Sequence, residues 1–115
     1  TMPLLKIQTN RPIEADTGNS LIRKASQQVA SLLGKPERYV MVSLEENPAM
    51  LFGGKDDPLA YLELKSIGLP ETRTGELSQA LSALMTTELG LSAGRVYIEF
   101  TNVPRTMWGW NGATF

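Results

Sequence analysis

The chain contains neither cysteine nor histidine among its 115 residues. Without cysteine there are no disulfides, no thiolate metal sites and no thiol nucleophile. Without histidine the commonest metal ligand and the commonest general base near neutral pH are both missing, so any proton chemistry falls to another group. No block of like charge is present: eleven Lys and Arg face twelve Asp and Glu, for a net charge of −1. That balance leaves no electrostatic footprint for nucleic acid or an anionic membrane, and small molecules or other proteins are the expected partners. No apolar run exceeds four residues, and Lys6, Arg11, Glu14 and Asp16 punctuate the first twenty positions. The expectation is therefore no membrane span, no signal peptide and a cytosolic location.

What is present fits one globular domain over residues 1–115, 42% hydrophobic and 20% charged. A chain of this length buries about two-thirds of its unfolded surface, enough to stand without covalent staples. Its two halves repeat one another at an offset of 56 residues. Leu33-Gly34 is followed by Val40, Val42, Leu44, Pro48 and Phe52-Gly53; Leu89-Gly90 is followed at the same spacings by Val96, Ile98, Phe100, Pro104 and Trp108-Gly109. Upstream of each glycine lies an amphipathic helical pattern, Leu21 to Leu33 and Leu77 to Leu89. Thr17 and Thr74 are candidate N-caps, and Gly34 and Gly90 suit the left-handed residue that ends a helix.

A strand candidate precedes each helix, Leu4 to Thr9 and Leu59 to Ile67, so each half reads β-α-β. Two such units predict an α/β fold with a four-stranded sheet and both helices on one face, since a crossover sets its two strands parallel. The helix-side residues are then Leu5, Ile7, Val40, Val42, Leu44, Leu62, Leu64, Val96, Ile98 and Phe100. The opposite face carries Lys6, Gln8, Met41, Ser43, Glu45, Tyr61, Glu63, Lys65, Tyr97, Glu99 and Thr101. That set is too polar for a dry core and suits a wet interior lined by several subunits. The element order also fits a ferredoxin-like regulatory domain.

Several residues bear two readings. Pro3 either opens an edge strand, where no ladder amide is required, or, at a free N-terminus, supplies a secondary amine able to act as base without histidine. Lys35 is either an exposed cation near the negative end of a helix or a pocket cation. Ile67 reads as strand core and Tyr97 as a strand tyrosine on the polar face. Trp108, Trp110 and Phe115 either form an apolar contact between subunits or close an aromatic wall, and the two are compatible.

Taken in order, Pro3 behind Met2, Thr9-Asn10, Gly34-Lys35-Pro36 running into Tyr39, Phe52-Gly53-Gly54, Ser66-Ile67-Gly68, Arg95-Val96-Tyr97-Ile98, Gly109-Trp110-Asn111 and Thr114-Phe115 resemble the macrophage migration inhibitory factor and D-dopachrome tautomerase family over nearly the entire chain. The resemblance implies a homotrimer whose sheets surround a central channel, with an active site at each subunit interface. It further implies a keto-enol tautomerase acting on an aryl 2-oxo acid such as phenylpyruvate, with no metal and no organic cofactor. The implied catalytic residues are Pro3, as proton-transfer base, and Lys35, on the substrate carboxylate or the oxygen that gains charge. Ile67, through its backbone amide, Tyr97 from a neighbouring subunit, Tyr39, Trp108, Trp110 and Phe115 are the implied substrate contacts. A noncatalytic, cytokine-like interaction protein on the same fold is the alternative, and animal relatives leave the cell without a signal peptide. Met2 reads as an initiator methionine and Thr1 as an expression remnant. Two departures stand out. Glu99 occupies a position that is often Asn in the animal cytokines, and Leu59 and Leu62 fall near their Cys-x-x-Cys pair, which excludes thiol-disulfide chemistry here.

Overall fold

The computed structural model describes residues 2–115. Six elements carry the architecture: β1 (Leu4–Thr9), α1 (Ala15–Leu33), β2 (Met41–Glu46), β3 (Ala60–Ile67), α2 (Thr74–Leu89) and β4 (Val96–Val103). They form one mixed sheet in the order β2-β1-β3-β4. β1 runs parallel to β2, β3 parallel to β4, and the two units meet antiparallel along β1 and β3. In each unit the strands flanking the helix are direct neighbours, whereas the ferredoxin-like split β-α-β places another strand between them; the strand order excludes that fold.

The apolar stripes of both helices face the sheet. Leu21, Ala25 and Val29 of α1 and Leu77, Leu81 and Met85 of α2 are buried against Leu5, Ile7, Leu62 and Leu64. The expected core residues on β2 and β4 are only half-buried, because these strands form the sheet edges and are covered from one side only. No helix is long and apolar enough to cross a membrane among the described residues.

Gly34 and Gly90 end the helices as expected, with φ of 63° and 68°. The expected N-caps are corrected. Glu14 holds the N-cap position of α1 in an extended conformation, with Gly18 N–H donating to its carbonyl at 2.9 Å, and Thr17 lies inside the helix. A 3₁₀ turn, Glu71–Arg73, precedes α2; Thr74 is its first residue and its hydroxyl donates back to Glu71 O at 3.0 Å.

The tails of the two repeats exchange places across the sheet. Phe52, which follows β2, packs on Tyr97 at the start of β4, with ring centroids 4.5 Å apart. Trp110, which follows β4, stands edge-on to Tyr39, just before β2, at 6.1 Å. The last tail closes as a small hairpin, β5 (Gly109–Trp110) against β6 (Ala113–Thr114). Its turn, Asn111-Gly112, has φ of 54° and 78°, the double positive φ that favours Asn-Gly in two-residue hairpins.

Candidate active site

Pro3 sits one residue before β1 with its side chain fully buried, and its carbonyl accepts from Met41 N–H at 3.0 Å, which ties the start of β1 to the start of β2. Around it opens a cavity of about 290 Å³ walled by Tyr39, Trp108 and Trp110, with Met2, Arg38 and Met41 completing its rim. The 3₁₀ turn Glu37–Tyr39 delivers Arg38 and Tyr39 to this place. The β5-β6 hairpin delivers Trp110 and stacks Phe115 on it, centroids 5.9 Å apart and planes within 10°. Arg38 lies over Tyr39, its guanidinium carbon 4.7 Å from the ring centroid.

Four of the residues singled out in the sequence, Pro3, Tyr39, Trp108 and Trp110, thus share one cavity, and Phe115 joins through the stack on Trp110. Lys35 and Ile67 do not line it. Lys35 follows the cap of α1, its N–H donating to Ala30 O at 2.9 Å, and among the described residues it has no ion-pair partner. Ile67 ends β3 at the Pro3 end of the sheet, two residues beyond the Lys65 that pairs with Leu4. Tyr97 is remote: it pairs with Tyr61, four residues along β3 from Lys65, which is about 13 Å at the strand rise. Arg38 is the cavity residue that the sequence did not single out. Its neighbour Tyr39 was the only local signal, and two adjacent residues carry no periodicity that points both into one cavity.

The polar sheet face is organised by Tyr61. Its one hydroxyl proton lies between Glu99, at 2.7 Å, and Glu63, at 3.1 Å, with the shorter donation to Glu99. The hydrogen bond to Glu99, then desolvation and the bond to Glu63, push this phenol well above its ordinary value, so it stays a neutral donor between two carboxylates. Glu99 accepts the shorter of these hydrogen bonds and lies outside the cavity of its own chain.

Roomier clefts lie elsewhere, about 580 Å³ where α2 begins beside Phe100 and Asn102, and about 470 Å³ where α1 begins beside Leu44 and Glu46. These positions are related by the 56-residue offset, so both are grooves of the sheet edges, and neither gathers convergent polar groups around a buried reactive one.

The fold is an α/β sheet built from two repeated β-α-β units, with a proline at the head of the first strand walled by aromatic side chains, and its relatives assign it to the tautomerase class. A family model for macrophage migration inhibitory factor (MIF) matches residues 2–115. A macrophage migration inhibitory factor homolog of Brugia malayi is 39% identical over 116 residues, covering 99% of each chain, and the mouse protein is 34% identical over 115 residues with the same coverage. The crystal structure of a homologue from Prochlorococcus marinus superposes with a TM-score of 0.92 at 47% identity, covering 97% of this chain and 98% of that one. The chain belongs to the macrophage migration inhibitory factor family. Membership supports a tautomerase or cytokine-like function and isomerase chemistry in general.

Proposed function

We propose that this protein is a cofactor-independent tautomerase that interconverts the enol and keto forms of an aryl 2-oxo acid such as phenylpyruvate. The observation that carries the reading is the enclosure of Pro3 by Tyr39, Trp108 and Trp110. Burial disfavours an ammonium and lowers the pKa of a proline amine, and flat aromatic walls suit a phenyl ring. In the ketonising direction the Pro3 nitrogen takes the enol hydroxyl proton and, as the ammonium, returns a proton to C3; in the reverse direction it removes a C3 proton and returns one to the oxygen. Lys35 and the Ile67 amide hold the carboxylate and the oxygen that gains charge, and Phe115 braces the ring wall through Trp110. The reading is stated for a chain that begins at Pro3, because in Met2-Pro3 the nitrogen is a tertiary amide whose lone pair is delocalised into the carbonyl.

The working unit in this proposal is a homotrimer of single-domain chains in the cytosol. Two observations support the assembly. The polar sheet face is open in one chain, and the most exposed large apolar residues of the chain come in pairs related by the repeat, Met41 (66%) with Tyr97 (64%) on the sheet and Leu51 (71%) with Met107 (75%) in the segments that follow β2 and β4. The aromatic-Gly tails themselves find cover within the chain, Phe52 on Tyr97 and Trp110 on Tyr39, so the uncovered corners, rather than the tails, ask for a neighbour. A head-to-tail contact in which the Tyr97 corner of one copy covers the Met41 corner of the next buries both and closes a ring. It also carries Tyr97 to the neighbour's cavity, which Met41 lines. The enzymatic reading is tested by following loss of enol absorbance from phenylpyruvate. The expected result is ketonisation well above the buffer rate; a rate equal to buffer contradicts it and leaves the interaction-protein alternative.

A further inference from the structure

We propose that Arg38 also binds the substrate carboxylate, beside Lys35 and the Ile67 amide; this assignment rests on the tautomerase reading above. The arginines of this chain divide by what their guanidinium groups do. Arg95 spends its fork on four backbone carbonyls, those of Phe52, Lys55, Asp57 and Pro58. Arg73 spends its own on Leu32 O and on Glu76. Arg38, like Arg11, Arg23 and Arg105, has no hydrogen-bond or ion-pair partner for its guanidinium among the described residues; of the six arginines it is the one that lines the cavity that holds Pro3.

The guanidinium carbon lies over the Tyr39 ring, 4.7 Å from its centroid, a cation–π contact that holds the charge beside the cavity and leaves its N–H groups free to donate. An unspent planar fork beside an aromatic cavity suits a carboxylate, which it can engage through two parallel N–H···O bonds. The aromatic walls take the hydrocarbon part of the same ligand, so cation and ring contacts together select an aryl acid over a neutral aryl ketone. The net charge of −1 gives no general attraction for anions, and selection for the carboxylate falls on local cations such as this one.

The test separates charge from packing. In the chain beginning at Pro3, Arg38→Met keeps an apolar stem over Tyr39 and removes the fork, and turnover is measured on phenylpyruvate and on its methyl ester. The expected result is a fall of about tenfold or more in the acid-to-ester ratio of kcat/KM, the size of one lost charge-assisted contact, with the loss in KM for the acid and kcat for the ester retained. Arg38→Lys recovers part of the ratio, having charge without the fork. A ratio that falls less than about threefold in Arg38→Met overturns the assignment. If the chain beginning at Pro3, with Arg38 in place, turns over neither compound, the tautomerase reading fails by itself, and Arg38 is then decided by tryptophan fluorescence titration with 3-phenylpropionate, an unreactive aryl carboxylate. Binding that weakens about tenfold in Arg38→Met upholds the carboxylate site; unchanged binding, or none in the unaltered protein, overturns it.

Discussion

Replacing Arg95 with methionine isolates the contact that holds the first repeat's tail on the second repeat. The guanidinium donates to Phe52 O at 2.7 Å, Asp57 O at 2.9 Å, Lys55 O at 3.2 Å and Pro58 O at 3.4 Å, and it lies 5.0 Å from the Phe52 ring centroid. The Phe52 bond is partly buried, and a charged hydrogen bond there contributes about 1.5 kcal/mol. The other three involve exposed carbonyls that water can satisfy, so together they add roughly 0.5–1 kcal/mol, and the ring contact adds about 0.5 kcal/mol. Arg95→Met should therefore cost about 2.5–3 kcal/mol, which lowers Tm by roughly 8–12 °C for a domain of this size. Circular dichroism melts at equal chain concentration measure it, since association also raises Tm. Arg95→Lys should recover less than half, because a point charge cannot reach four carbonyls. A fall of under about 2 °C in Arg95→Met would refute the view that this one side chain fastens the tail.

Gly34→Ala meets no atom within 4 Å at its new Cβ, but φ there is +63°, so the left-handed penalty alone should lower stability by about 1–2 kcal/mol in urea unfolding. The Glu88 carboxyl is held below its ordinary range by Lys24, 3.0 Å away, and further by Ser20, against an opposing desolvation. Its contribution is thus fully present above the unfolded value of about 4.3 and is lost as pH falls through the lower folded value. Glu88→Gln should be less stable than the parent at pH 7, with the gap narrowing toward pH 3 in urea titrations; a gap independent of pH would show that the ion pair contributes nothing. Lys35→Ala should lower kcat/KM for phenylpyruvate by about tenfold or more, with the Tm retained; unchanged turnover would leave Lys35 as a cation at the end of a helix.

The parts of the fold that were legible in the sequence are those that local pattern dictates. The 56-residue repeat, the alternation Leu5-Ile7 and Leu62-Leu64, and the glycines after Leu33 and Leu89 each report a backbone requirement carried by neighbouring residues. Helix starts were less legible because apolar periodicity marks only the buried stripe. The first turn of α1 is mostly exposed, so the pattern begins at Leu21 although the helix begins at Ala15. Thr9-Asn10 resembled a family signature, and its physical role emerged only with the fold. The Thr9 hydroxyl donates to Leu59 O at 2.8 Å, and the Asn10 side chain accepts from Leu59 N and donates to Asp56 O. The crossing of the tails was not legible at all, since it joins Phe52 to Tyr97 and Trp110 to Tyr39 across the sheet. For the same reason the aromatic cavity could be assigned its proline, tyrosine and tryptophans by resemblance, while Arg38 stayed out of view.

The proposed catalysis turns on one nitrogen, and it is tested by comparing phenylpyruvate ketonisation by the chain that carries Thr1-Met2 ahead of Pro3 with that of the chain beginning at Pro3. Met2 is 8% exposed and lines the Pro3 cavity, so in the longer form it both acylates the nitrogen and crowds the site. Near-background turnover is expected for the longer chain, a rate at least a hundredfold higher, on the order of general-base catalysis, once both residues are removed, and a large loss when Pro3→Gly replaces the ring amine. Equal rates for the two forms would contradict it and remove Pro3 as the base.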